Sequence, residues 1–410
     1  MTPKPDNSAD PIREFYTSHP FPPPVENLDR ARELWQNENV PRSEFHLFWP
    51  NKQYRADLDV LVAGCGTFQS AKFALCHSAA RVVGIDVSTT SLEHTERHKQ
   101  NYNLTNLETR QVPIENAGQL DQQFDLIVCT GVLHHLADPD AGLRALRSVL
   151  KPDGAMYLMV YAPYGRAGVY MIQDYCRRLG IGASPQEVKD LIAVLRMLPP
   201  HHPLLASQGG SRDFNGEALA DALLNPRDRS YSVPQLFEFV EGNELSLSRW
   251  YWQAPYLPQC GAISSTPHAA RLAALPAREQ YAQMELWRGL MANHSIVVHH
   301  RDTNYGAQVR FAEDQYLGYV PVRLPWTTCV QERLPPGAAG ALLNQTHLFN
   351  DLYLIIDAQE KQMFDAIDGR RSIAEILATV KDATPRARNF FEQLWHYDQV
   401  VFDTSHVDAA

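Results

Sequence analysis

Apolar runs separated by stretches of helical spacing set the rhythm of the first part of the chain. Residues 58–62, Asp59 apart, are apolar and β-branched enough for a parallel strand covered on both faces. Residues 70–80 suit a helix, 81–85 form a second apolar run that ends in Asp86, and 90–102 suit another helix before a third strand at 107–112. A fourth buried strand is predicted over 123–130. The helix expected over 140–150 carries Leu143, Leu146 and Leu150 on one face, and after the turn at 151–154 a fifth strand is expected over 155–161. Alternation of this kind predicts a parallel sheet covered by helices. The rhythm changes after Tyr161. Val169, Ile172, Tyr175, Cys176 and Leu179 recur near helical period, as do Val188, Leu191, Ile192, Leu195 and Leu198, and both stripes are expected in a core. Residues 165–229 are therefore read as a helical insertion leaving the carboxyl end of the fifth strand, where it would lie over the ligand edge of the sheet. A helix over 233–241 and strands over 245–252 and 294–300 follow.

The first strand runs into Gly64-Cys65-Gly66-Thr67, where the glycines permit a sharp turn and expose backbone N–H groups. Asp86 closes the second strand about 20 residues on, the spacing at which a carboxylate meets a ribose diol. A nucleoside-type ligand suits this pair. A dinucleotide does not, because Thr67-Phe68-Gln69 stand where a third glycine would seat the pyrophosphate. The loop Gly131-Val132-Leu133-His134-His135-Leu136 leaves the fourth strand at its carboxyl end and should face the same ligand.

These blocks resemble the class I S-adenosylmethionine-dependent methyltransferases over about 58–301, most densely over 58–161. The resemblance implies an α/β, Rossmann-like seven-stranded sheet closed by an antiparallel pair, with S-adenosyl-L-methionine as cofactor. It implies that Gly64, Cys65, Gly66 and Thr67 face the methionine part and that Asp86, with Val87 and Ser88, holds the ribose. Pro113, Ile114 and Glu115 would border the adenine, and Thr130, Gly131, Val132 and His135 would line the pocket. Ala63 departs from the pattern, since the family often has an acid there.

Methyl transfer from a sulfonium depends chiefly on positioning and desolvation, so no loud acid–base pair is required. Where a proton must be taken, Tyr161, His135 and Asp228 are the candidates. Packing of the loop is the competing role for the histidines. Tyr16, Tyr161, Tyr164, Arg166 and Tyr231 are candidate acceptor contacts, against a bland alternative of caps and surface pairs for the charged ones. Aromatics and prolines interleave over 15–24 as an extended clasp, which either packs on the surface or closes the site through Tyr16 and Phe21.

Composition narrows the classes. The 410 residues carry a formal net charge of −10, which argues against nucleic acid. Six cysteines show neither close pairing nor metal-ligand spacing, and no metal is expected. Residues 1–11 lack the apolar core of a secretory signal and nothing later matches a membrane span, so a cytoplasmic protein is expected. The domain reading is an extension over 1–45, a methyltransferase core over 46–164 and 230–303, the lid over 165–229, a proline- and glycine-rich linker over 304–345 and a small α+β domain over 346–405. That tail has strands at 352–356 and 400–402 around helices at 359–367, 373–380 and 385–395, a winged-helix pattern. Its string from Phe364 to Ile376 resembles PqqD-like domains, which bind leader peptides. Three functions are thus weighed: methylation of a small molecule under the lid, methylation of a peptide or carrier-bound acceptor brought by the tail, and a non-catalytic scaffold.

Overall fold

The computed structural model describes residues 11–207, 209–303 and 309–407. The polar leader before residue 11, Gln208 of the insertion and residues 304–308 of the expected linker lie outside them. The described residues of Met1–Asp29, Asp57–Leu245 and Gly289–Ser295 form one unit, and those of Arg30–Ala56, Ser246–Arg288 and Ile296–Ala410 a second.

The chain begins with α1 (Pro11–Ser18), α2 (Asp29–Trp35) and α3 (Asn39–Phe48). The expected alternation follows as β1 (Asp59–Ala63), α4 (Gln69–Cys76), β2 (Arg81–Asp86), α5 (Thr89–Asn101), β3 (Leu107–Gln111), β4 (Phe124–Thr130), α6 (Pro139–Ser148) and β5 (Leu150–Tyr161). The insertion contributes α7 (Ala167–Leu179), α8 (Pro185–Leu195), α9 (Pro203–Ser207) and α10 (Gly216–Leu224). Next come α11 (Val233–Gly242), β6 (Leu245–Trp250), α12 (Ala269–Ala273), α13 (Ala277–Arg288) and β7 (Asn293–His300). The seven strands form one sheet of order β3-β2-β1-β4-β5-β7-β6. The pairs β3-β2, β2-β1, β1-β4 and β4-β5 are parallel, and β1 is buried from Val60 onward, which explains its apolar run. The fifth strand starts earlier than its sequence suggests. Residues 151–154 belong to it as an irregular segment, where a side chain at Gly154 would strike the Asp125 carbonyl at 2.9 Å and where Lys151 bridges Asp59 (2.7 Å) and Asp125 (2.8 Å).

Helices α7 to α10 bury their own small core in the first unit. Val169, Ile172 and Cys176 meet Val188, Leu191, Leu195, Leu204 and Leu219, and Phe15 of α1 joins them. Tyr175 and Leu179 do not share that core; they lie on the flank of α7, 42% and 61% exposed. Gly168 lets α7 touch α9, since a Cβ there would stand 2.1 Å from the Leu204 nitrogen.

The second unit departs from the expected boundaries. Instead of a linker, the chain forms β8 (Val320–Arg323), β9 (Thr327–Val330) and β10 (Gly340–Asn344), the prolines and glycines marking turns between short strands. It continues with β11 (Tyr353–Ile356), α14 (Ala358–Asp365), α15 (Ile373–Thr379), α16 (Thr384–His396) and β12 (Val400–Asp403). Strands β11-β10-β9 and β12-β8 make two antiparallel ladders. The tail is not self-contained, because its core includes Ala254, Cys260 and Phe311. Asp398, fully buried, accepts from the Ala254 N–H (2.9 Å), Arg249 (3.0 Å) and His347 (3.1 Å), joining the tail to the segment before α12. Residues 30–56 belong here as well: the His46 ring lies 3.4 Å from Asp403, and the Thr404 N–H donates to the Pro50 carbonyl (2.7 Å). His299 is buried in β7, where desolvation lowers its pKa to about 3.

Replacing Gly168 with alanine tests the packing of the insertion. Overpacking against α9 outweighs the gain in helix propensity, and the urea unfolding midpoint should fall by the equivalent of ~1–3 kcal/mol.

Candidate functional site

A cavity of about 520 Å³ opens in the first unit beside the carboxyl ends of β1, β2 and β4. Its floor is the turn after β1. The Gly64 and Cys65 N–H groups donate to the Ile85 carbonyl (2.8 and 2.9 Å), and Gly64 takes φ +68°, with Val132 so close that a Cβ would stand 2.4 Å from its methyl. The Asp86 carboxylate accepts from the Gly66 N–H (2.9 Å) and the Ser88 N–H (2.9 Å) and borders the cavity with its remaining lone pairs. Burial raises its pKa, and the backbone donors pull the other way.

Of the residues expected around the cofactor, Gly64, Asp86, Val87, Pro113, Ile114 and Glu115 line the cavity, as do Thr130, Gly131, Val132 and His135. Cys65, Gly66, Thr67 and Ser88 stand behind the wall. Cys65 is fully buried, with its thiol pKa pushed up by desolvation. Thr67 Oγ donates to the Pro22 carbonyl (2.7 Å) and Ser88 Oγ to the Tyr16 carbonyl (3.0 Å), while the Phe21 carbonyl would sit 2.7 Å from any Cβ on Gly66. These residues therefore hold α1 and the segment after it, which together supply Ile12, Arg13, Tyr16, Phe21 and Pro22 to the cavity wall.

At the far wall, a single 3-10 turn at Leu133–His135 buries both histidines. His135 Nδ1 meets the Arg227 carbonyl, an acceptor only, so this nitrogen carries the proton and Nε2 keeps its lone pair. Among the described residues Nε2 has no hydrogen-bond partner, and burial lowers the pKa of the ring. His134 has neither ring nitrogen partnered and is pushed further down by desolvation. It lies 3.8 Å from the Tyr161 ring centre, and the Arg166 guanidinium lies 3.5 Å from it, so both faces of that phenol are covered.

The remaining acceptor and proton-transfer candidates separate into two groups. Tyr16 and Tyr161 line the cavity, but both hydroxyls donate to Asp221, at 2.7 and 3.3 Å. Burial first and Asp221 second raise both phenol pKa values, which disfavours the phenolate of either ring. Asp228, Arg166, Tyr164 and Tyr231 do not line the cavity. Asp228 pairs with Arg166 (2.7 Å) and accepts from Gln173 (2.6 Å); Tyr164 is 43% exposed; Tyr231 stacks on Phe239 with ring centres 5.0 Å apart. Their charge and aromatic character serve packing within the insertion and beside α11.

The structure adds Gln69, Lys72, Arg13 and Arg227 to the cavity wall. Gln69 Nε2 donates to Thr130 Oγ (2.8 Å), supplying the polar contact that an acid in place of the buried Ala63 would otherwise have suggested. Lys72 lies one helical turn beyond Gln69 and Arg13 one turn before Tyr16, a spacing that could have marked both. Asp221 carries no local signal, because its partners are 205 and 60 residues away.

A glycine turn over a half-buried acid, on the doubly wound order of the sheet, defines a nucleoside-binding α/β enzyme. Comparison with known proteins narrows it. A family model described as a methyltransferase domain matches residues 55–177. The ubiquinone biosynthesis O-methyltransferase of Acinetobacter baumannii (strain AYE) is 32% identical over 201 residues, 48% of this chain and 71% of that protein. An uncharacterized Synechococcus protein is 28% identical over 292 residues, 69% of each chain. The structure of PKMT2 from Rickettsia typhi superposes with a TM-score of 0.64 at 15% identity, covering 90% of this chain and 75% of that one, and its complex with AdoHcy gives 0.57 at 16%, covering 87% and 75%. The chain belongs to the class I S-adenosylmethionine-dependent methyltransferases. The described residues fit that cofactor: the cavity has the volume of a small-molecule site, and a carboxylate and a close glycine turn face it.

Asp86→Asn should weaken S-adenosylhomocysteine binding by ~10-fold or more in calorimetric titration. Because burial raises the Asp86 pKa, wild-type affinity should fall with decreasing pH from a point above the usual carboxylate range, and the variant should lack this dependence.

Proposed function

We propose that this methyltransferase acts on a hydroxyl group of a small molecule admitted beneath the helical insertion, with His135 as general base. The observation that carries the reading is the unpartnered Nε2 of a neutral, buried imidazole in the cavity wall. When bound, S-adenosylmethionine supplies an electrophilic methyl on a positive sulfur that departs as a neutral thioether. Asp86 would hold the ribose diol, with Val87, Pro113, Ile114 and Glu115 along the base and the Gly64 and Gly131 turns along the methionine part. His135 Nε2 takes the acceptor's hydroxyl proton, while the Arg227 carbonyl receives the Nδ1–H and stabilises the imidazolium that results. Tyr16, Tyr161, Met159 and Leu136 give this end an apolar and aromatic lining that excludes water and suits a flat acceptor.

A second reading rests on the tail. The order β11, α14, α15, α16, β12 matches the strand-flanked three-helix pattern of the PqqD-like resemblance, and a peptide or carrier-bound acceptor would then be recruited there. A non-catalytic scaffold would have no use for an unpartnered imidazole nitrogen on a residue of the cavity wall. The cytoplasm is the proposed compartment, supported by six free cysteines and by the lack, among the described residues, of any helix long and apolar enough to cross a membrane. Truncation at residue 302 cannot separate the two acceptor readings, since it would remove most of the core into which Ala254 and Cys260 pack.

Isotope-labelled S-adenosylmethionine incubated with size-fractionated extract separates them instead. Label in the low-mass fraction supports the small-molecule reading, and label confined to polypeptide replaces it with the second. With the acceptor in hand, His135→Gln should lower turnover by ~100-fold or more and leave S-adenosylhomocysteine affinity unchanged.

A further inference from the structure

Asp221, on α10, is 2% exposed, and no cation is bonded to it among the described residues. A lone buried carboxylate is costly unless hydrogen bonds replace its water. Here the replacements are two phenols from distant parts of the first unit: Tyr16 of α1 on one oxygen and Tyr161 at the end of β5 on the other. Both rings flank the same imidazole. Tyr161 stands edge-on to His135 with centres 5.5 Å apart, and Tyr16 edge-on at 6.2 Å. The arrangement closes on itself through Asn225, whose Nδ2 donates to the Tyr16 oxygen (3.0 Å) and whose Oδ1 accepts from the Arg227 N–H (3.0 Å), the residue whose carbonyl holds His135 Nδ1.

We propose that Asp221 is a positioning residue for His135: by tying the Tyr16 and Tyr161 hydroxyls it fixes the rings that orient the imidazole, and it places one uncompensated negative charge beside it. The assignment rests on His135 being the base. The groups that face the imidazole are Asp221 from α10, the Arg227 carbonyl and Asp228 from the chain after it, Arg166 before α7, His134 from its own turn, Tyr16 and Tyr161. Arg166 and Asp228 neutralise one another as a pair. The charge of Asp221 is left to favour the imidazolium that proton abstraction creates, and it opposes the desolvation that lowers the ring's pKa.

The test is an Asp221→Asn variant saturated with S-adenosylhomocysteine and compared with wild type by imidazole ¹⁵N titration, the His135 signals being assigned by their loss in His135→Gln. Removing the charge should move the His135 titration to lower pH. In turnover, the acid limb of the kcat profile should move the same way and kcat should drop by ~10-fold, with KM for S-adenosylmethionine little changed. An unmoved titration in a folded variant overturns the proposal, as does a loss confined to thermal stability and cofactor affinity. Tyr16→Phe keeps the charge and the ring but cuts the tie; it should lower kcat while the titration stays near wild type, and it decides the matter should Asp221→Asn not fold, a normal kcat then being the overturning result. If His135→Gln itself turns over normally, the base assignment falls; if that variant is inert and Asp221→Asn behaves as wild type, only the role of Asp221 falls.

Discussion

The arrangement of the cavity depends on the two backbone N–H groups that the Asp86 carboxylate accepts. Gly66 belongs to the turn after β1 and Ser88 to the turn after β2, so one side chain at a strand end fixes two neighbouring loops. A carboxylate in this position loses water, and the donors that replace it come from backbone that would otherwise be unsatisfied at the ends of parallel strands. Everything on the near side of the cavity is attached to those loops. The N-terminal stretch touches Gly66 through the Phe21 carbonyl and Thr67 through the Pro22 carbonyl, both after α1, and Ser88 through the Tyr16 carbonyl of α1 itself. It reaches the insertion as well, where His19 contacts Glu217 and the Ala183 carbonyl. The N-terminal aromatics are thus a wall of the site, and their placement follows from the glycine turn.

How much of this was legible follows the range of the interactions. The β1 to β5 alternation, the glycine turn and Asp86 were readable because each depends on neighbours in sequence or on a burial pattern that a single strand displays. The linker was misread for a local reason: Pro321 and Gly340 punctuate short strands as readily as they punctuate flexible chain, and only the pairing of Val401 with Val322 reveals which. The tail was read as independent because its helices are regular, while the residues that complete its core, Ala254 and Cys260, lie far back in the chain. At the site the division is sharper. Arg166 looks like a substrate ligand in sequence and Asp228 like a proton acceptor, yet the two pair with one another. Asp221 has the same chemistry as Asp228 and gives no sign of its importance, since its meaning arises only where α1, β5 and α10 converge.

That convergence distinguishes two ways of burying charge in one region. Arg166 and Asp228 cancel, with Tyr161 as a platform for the guanidinium, and such a pair holds shape without polarising its surroundings. Asp221 has neutral donors in place of a cation, so its field is left to act on the adjacent ring. A neutral imidazole gains little from that field, and an imidazolium gains more. The stabilisation therefore falls on the state reached after proton transfer rather than on the resting one, which is the condition for a buried charge to lower a barrier and not merely to hold two phenols in place.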